Sequence, residues 1–362
     1  MPFNPLQPAN LITILPTYKC TAACQDCCFG SNPSIEGRIP QERILRYIKE
    51  ASDLGIRTLV FSGGEPFILG KDLDNSILYA TKLKIVTRVV TNGFWAITED
   101  IAKERLQRLQ LSGLVEINFS TGDFHQKFVP LDRVVSGALA AISLGMRTVI
   151  MVEIRKDRSF SKEKLLKDHR LSRIMQNQES SNLLSIVESP WMPVYDSEIV
   201  PQEKHLLVNA KNVHLRRGCD TVLSSFVVTP SQGLGACCGL TREQIPELNL
   251  GSLEDKSMKQ MIQEAFDDFL KLWIYVDGPE KILSWAATID PSIQWEDKYA
   301  HICHACLALY KDPKVRKVIR EHHHEKLLDV YFKYWLLTSY KPDTSITAQD
   351  LFRDKDTRFF FG

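Results

Sequence analysis

Six short apolar runs recur through the first half of the chain, and their spacing limits the architecture more than any other feature. They are Leu11–Leu15, Thr58–Ser62, Ile85–Thr91, Val115–Thr121, Arg147–Ile154 and Leu184–Val187, with centres about 28 to 46 residues apart. A gap of that length is the length of a repeated strand–helix unit. Gln41–Leu54 puts Ile44, Leu45, Ile48, Ala51 and Leu54 on one helical face, with Gly55 behind it as a cap. Asp132–Leu144 repeats the design with Val134, Val135, Ala138, Leu139 and Ile142, ahead of Gly145. Continuous apolar strands with helical crossovers predict an α/β fold, a parallel sheet covered by helices. Six units predict an open, partial (β/α)6 barrel rather than a closed eight-fold one. In such sheets ligands bind at the C-terminal strand ends.

The pattern changes at Ser189-Pro190-Trp191-Met192-Pro193. A less regular stretch follows, to about residue 315, and holds five of the nine cysteines. The last 45 or so residues are helix-prone and aromatic (Tyr331, Phe332, Tyr334, Trp335), then polar. The expected organisation is a barrel over residues 8–200, a smaller α+β unit over 201–315 and a helical tail over 316–362. The 45 Lys+Arg against 44 Asp+Glu give a net charge of +1, which makes no electrostatic case for a nucleic-acid binder. No apolar run approaches the roughly 18 to 20 residues that span a bilayer. Met1-Pro2-Phe3-Asn4-Pro5 has neither the basic nor the apolar region of a secretory signal. A cytoplasmic location is therefore expected. In that setting clustered cysteines point to metal or redox chemistry rather than to disulfides.

The first cluster is Cys20-Thr21-Ala22-Ala23-Cys24-Gln25-Asp26-Cys27, with Cys28 next, immediately after the first strand. Three thiolates at this spacing can wrap one side of a cubane. A 4Fe–4S cluster normally takes four cysteines, so three leave one iron open to a further ligand, as in catalytic metal sites. The competing readings are a zinc knuckle and a redox pair at Cys24 and Cys27. Zinc sites usually add a second CxxC or HxxxH nearby, and none is present. A redox pair leaves Cys20 unexplained.

CxxxCxxC after the first strand of a partial barrel resembles the signature of the radical S-adenosylmethionine (radical SAM) superfamily. Phe61-Ser62-Gly63-Gly64-Glu65-Pro66, at the end of the second strand, resembles the family's second element. The resemblance covers roughly residues 8 to 200. It implies that Gly63, Gly64 and Glu65 hold the methionine amino group of SAM. It further implies SAM contacts from Asn92 after the third strand, from Ser120 and Asp123 at the end of the fourth, and from Arg155 as a carboxylate clamp. The alternative for these last four is that they are turn and capping groups. Many family members carry an aromatic residue just before the third cysteine; here it is Asp26.

Cys219, the Cys237-Cys238 pair and Cys303-His304-Ala305-Cys306 resemble the twitch, or truncated SPASM, extension of these enzymes. The resemblance implies one auxiliary 4Fe–4S cluster; a structural zinc site is the alternative. Counting from Gly233 selects Cys238 as its second ligand, and aligning the hairpin from Pro230 selects Cys237. Adjacent strand residues face opposite ways, so one of the two reaches the cluster, and Cys237 is favoured. Cys28 and Cys238 are then spare: buried apolar thiols, or hydrogen-atom donors to a substrate radical. His301 and His304 are expected to donate hydrogen bonds that support the auxiliary ligands, and His322-His323-His324 to be a solvated helix face.

The resemblance implies reductive cleavage of SAM to a 5′-deoxyadenosyl radical that abstracts hydrogen from a substrate. The favoured substrate is a ribosomally made peptide, cross-linked or epimerised. The alternatives are dehydrogenation or another modification of a small molecule and a non-catalytic structural iron–sulfur or zinc protein. Expected partners are a low-potential electron donor such as flavodoxin or ferredoxin and, because no leader-binding domain precedes the first strand, a separate leader-peptide-binding protein.

Overall fold

The computed structural model describes residues 9–190 and 201–339. Six strands, β1 (Leu11–Ile14), β2 (Thr58–Phe61), β3 (Val86–Thr91), β4 (Leu114–Thr121), β5 (Arg147–Ile154) and β6 (Leu184–Pro190), lie side by side in sequence order, all parallel. Between them run α1 (Gln41–Asp53), α2 (Lys71–Lys82), α3 (Glu99–Ser112), α4 (Leu131–Ser143) and the short α5 (Lys162–Leu165), α6 (His169–Gln176) and α7 (Gln178–Ser181). Strand order without reversal puts every right-handed crossover on one face of the sheet. The other face is left for a site. The sheet is not closed: β6 is one edge.

The alternation along each strand shows which face is which. Ile12, Ile14, Leu59, Phe61, Val89, Ile117 and Phe119 pack with Ile44, Ile48, Leu73, Ile77 and Val135 of the helices in one buried core. Their neighbours Thr13, Val60, Arg88 and Glu116 stand in one cross-strand row on the opposite face. Helices α1 and α4 match the periodicity to within a residue, and Gly55 and Gly145 follow them with positive φ.

Beyond β1 the sheet continues. Strand β7 (Ser225–Val228) pairs with β1 in parallel, Thr13 opposite Val227. Then β8 (Gly233–Gly235) and β9 (Asn249–Ser252) add antiparallel. One nine-stranded sheet thus carries both cysteine regions. The rest of the second half is helical: α8 (Met258–Phe266), α9 (Phe269–Asp277), α10 (Pro279–Ile289), α11 (Ile302–Lys311), α12 (Pro313–His322) and α13 (Leu327–Ser339). Strand β6 runs through Ser189 and Pro190, past the expected break. Trp191, Met192 and Pro193 lie outside the described residues, as do the expected boundary at residue 200 and the tail from residue 340. The histidine run straddles the end of α12 rather than lying on one helix face, and the His323 ring packs 5.8 Å from that of Phe269. No described helix is long and apolar enough to cross a membrane.

Candidate active site

The loop after β1 carries Cys20, Cys24 and Cys27 over the C-terminal strand ends. Two main-chain amides point at sulfur, Ala22 N–H to Cys20 Sγ and Ser31 N–H to Cys27 Sγ, both at 3.4 Å. Such donors stabilise thiolates that a metal would require deprotonated. In the metal-free protein burial pushes the Cys20 thiol up to about 11. Burial first, then the charge of Glu153, pushes Cys24 up as well.

The Gly63–Gly64 turn lies against this loop. Gly64 N–H donates to Thr17 O and Glu65 N–H to Lys19 O, each at 2.9 Å. A Cβ on Gly64 would stand 2.0 Å from Lys19 O, so the glycine lets two main chains touch. The expectation was an approach to a ligand; the contact seen is with the cysteine loop. Glu65 is fully buried and accepts from Phe67 N–H (3.1 Å), the Thr91 hydroxyl (2.9 Å) and Asn92 N–H (2.9 Å). Burial outweighs these donors and raises its carboxyl to about 7. Asn92 passes the link on, its Nδ2 lying 3.5 Å from Cys20 Sγ and 3.0 Å from Thr21 Oγ1. Cys20, Glu65 and Asn92 are therefore brought together, and Asn92 also caps its own turn, its Oδ1 accepting from Phe94 N–H at 2.9 Å.

The other residues expected at SAM have these surroundings. Asp123 accepts from Ser159 N–H (2.7 Å), Ser159 Oγ (2.6 Å) and Phe160 N–H (2.9 Å), so its carboxylate orders the loop after β5. Arg155 reaches back to Asp26 in the cysteine loop at 3.1 Å. Ser120 is half-buried near the end of β4. Sequence reasoning missed two polar pairs. His125 contacts the buried Glu153 at the top of β5, and Arg88 meets Glu116 at 3.3 Å in the inner row. A charged residue inside an otherwise apolar strand was the available signal.

The second set forms around the β7–β8 hairpin and α11. Cys219, Cys237, Cys303 and Cys306 line one small cavity with Ile274 and Leu248. A Cβ built on Gly239 would stand 3.1 Å from Cys303 Sγ and 3.5 Å from Cys237 Sγ, so the glycine leaves the space between those sulfurs open. Among the described residues no three His, Cys, Asp or Glu side chains converge tightly enough to hold a single metal ion. A cubane, which takes one thiolate at each iron corner, makes no such demand, and four thiols around an open space fit it. His301 caps α11: its Nδ1 accepts from Cys303 N–H at 3.1 Å, an acceptor where a donor was expected, and burial lowers its pKa to about 4. Cys238 stays out of this cavity. Burial pushes its thiol up to about 11, against the neighbouring Thr13 and Arg88, which lower it, and with Cys219, which raises it. Thr13 and Arg88 belong to the inner row. Tyr18, two residues before Cys20, donates to Glu243 at 2.7 Å, and Glu243 pairs with Arg242, so the two cysteine regions are bonded to each other.

Residues 14–153 match the family described as the Radical SAM superfamily. The putative peptide biosynthesis protein YydG of Bacillus subtilis (strain 168) is 27% identical over 112 residues, 31% of this chain and 35% of that protein. GTP 3′,8-cyclase of Clostridium botulinum (strain Okra / Type B1) is 30% identical over 166 residues, 41% of this chain and 50% of the cyclase. PqqA peptide cyclase of Granulibacter bethesdensis is 34% identical over 112 residues, 29% of each chain. The matches span half or less of these relatives. Among solved structures, Streptococcus suis SuiB bound to S-adenosylmethionine superposes with a TM-score of 0.57 at 17% identity, over 84% of this chain and 75% of SuiB, a likeness of fold. Residues 14–153 thus carry the likeness to the radical SAM superfamily, and the fold of the chain is like that of SuiB.

Proposed function

We propose that this protein cleaves S-adenosylmethionine reductively and modifies a peptide by hydrogen abstraction, with Cys238 returning a hydrogen atom to the substrate. Cys20, Cys24 and Cys27 would hold a 4Fe–4S cluster, which would supply one-electron reduction of S-adenosylmethionine there. Gly63, Gly64 and Glu65 shape the floor on which SAM is bound; Asn92 and Ser120 line it. Cys219, Cys237, Cys303 and Cys306 would hold an auxiliary 4Fe–4S cluster in a cavity also lined by Leu248 and Ile274.

The observation that carries the reading is the separation of Cys237 from Cys238. Cys237 lines the auxiliary cavity and Cys238 does not; Cys238 is influenced by Thr13 and Arg88 of the inner row as well as by Cys219. A substrate radical facing that thiol takes its hydrogen: the S–H bond breaks, a C–H bond forms and a thiyl radical remains. One electron from a low-potential carrier such as flavodoxin or ferredoxin and one proton restore the thiol. Inversion of a carbon centre follows when the hydrogen returns to the opposite face. Cys28 is the second candidate donor.

Similarity to a peptide biosynthesis protein and to a peptide cyclase supports a peptide substrate. A partner protein then recognises the leader. The second reading, a small-molecule substrate, is favoured by the longer match to GTP 3′,8-cyclase. The test uses short peptides encoded beside the gene, offered to the anaerobically reconstituted enzyme in deuterated water. Deuterium at one peptide carbon in the wild type, lost in Cys238→Ala with 5′-deoxyadenosine still formed, is expected. Deuterium retained in Cys238→Ala would reject that thiol as donor. Turnover only with small molecules would favour the second reading.

A further inference from the structure

One buried ion pair at the mouth of the sheet takes no part in that chemistry. Asp26 stands between Cys24 and Cys27, its side chain 1% exposed, and its Oδ2 accepts from Arg155 Nη1 at 3.1 Å. The other guanidinium nitrogens are held by Asp157, Nε to Oδ1 at 3.1 Å and Nη2 to Oδ2 at 3.0 Å. The guanidinium also lies over the Phe124 ring, 4.9 Å from its centre. Each nitrogen of Arg155 donates one hydrogen bond to a carboxylate of the protein, three of its five N–H groups in all.

We propose that Arg155 is a positioning residue: through Asp26 it fixes the cysteine loop to the end of β5, and the charge balance of the pair sets the reduction potential of the cluster in that loop. This rests on the reading that Cys20, Cys24 and Cys27 hold a cluster. The effect is electrostatic. Asp157 is half exposed and screened by water, whereas Asp26 is not. Removing one partner of a buried pair leaves an uncompensated charge in a low-dielectric place. An Asp26 carboxylate that has lost the guanidinium's charge opposes addition of an electron to the cluster; a guanidinium balanced only by the exposed Asp157 favours it. Packing alone produces no such opposition of sign.

The experiment is a potentiometric titration followed by electron paramagnetic resonance of the cluster whose signal responds to SAM. It compares the wild type, Asp26→Asn, Arg155→Gln and the double variant, with melting temperatures of the metal-free chains beside it. The expected result is a midpoint raised in Asp26→Asn, lowered in Arg155→Gln and restored towards wild type in the double variant, where charge balance returns. Melting temperature falls in both single variants and partly recovers in the double. Midpoints that stay put, or shift the same way in both single variants, overturn the inference even if stability falls. A wild-type protein without a SAM-responsive iron signal overturns the cluster reading and this inference with it; a normal signal with unshifted midpoints overturns this inference alone.

Discussion

Single residues decide whether the cysteine loop is built, and two of them test it. Gly64 has no room for a side chain, so Gly64→Ala must push the main chain at Lys19 aside. The expected loss is about 3 kcal/mol of stability in the metal-free protein, read by urea unfolding, with a matching loss of bound iron after reconstitution. Glu65 makes a prediction of opposite character. Its folded-state carboxyl titrates near 7, above the ordinary value of 4.5. The native state therefore binds a proton that the unfolded state releases, and Glu65 makes the protein less stable as pH rises from about 4.5 to 7. In Glu65→Gln that slope disappears. The difference between wild type and variant should change by roughly 3 kcal/mol at most across the window; a constant difference would contradict the burial argument. The chemistry-bearing cysteines were legible in the sequence because thiol spacing is local. The jobs of Asp123 and Arg155 were not, because each depends on which loop happens to fold over it. Ser159 and Asp26 are remote in sequence from the residues they occupy.

At the scale of elements, the six strand–helix units were legible because period and apolarity alone distinguish a strand buried on one face from an amphipathic helix. The hairpin of the second half was less so. Strands β7, β8 and β9 have only 4, 3 and 4 residues, and β8 reads Gly-Leu-Gly, a sequence with little strand propensity of its own. Pairing to β1 and packing of Phe226, Val228 and Leu234 make them strands. Helix α11 carries two of the four auxiliary thiols in its first turns, and His301 is its cap. Replacing His301 by Ala removes the acceptor for Cys303 N–H and is expected to weaken the helix start by about 1 kcal/mol. The thermal midpoint should drop and auxiliary iron should be retained less well, while His301→Asn, which can accept the same bond, restores both. Equal iron retention in the Ala variant would show that the cap plays no part in holding that site.

For the whole molecule the governing fact is that the two cysteine regions share one sheet. Because β7 is the parallel neighbour of β1, residues 9–190 alone would present β1 as a bare edge with its partner missing, and an open edge invites association. A fragment of residues 1–200 is expected to aggregate or self-associate in size-exclusion chromatography; a stable monomer would show that the six-stranded barrel folds without β7. The Tyr18–Glu243 bond across the two regions argues for the first outcome. Iron content tests the same unity: about eight irons per reconstituted chain are expected for two cubanes, and about four would remove the auxiliary cluster. The most direct measurement is the yield of 5′-deoxyadenosine when the anaerobically reconstituted chain is given S-adenosylmethionine and a strong one-electron reductant. The account predicts its formation by the wild type and its absence when Cys20, Cys24 and Cys27 are replaced by Ala. An iron-loaded wild type that leaves S-adenosylmethionine intact, or a triple variant that still cleaves it, would contradict the account.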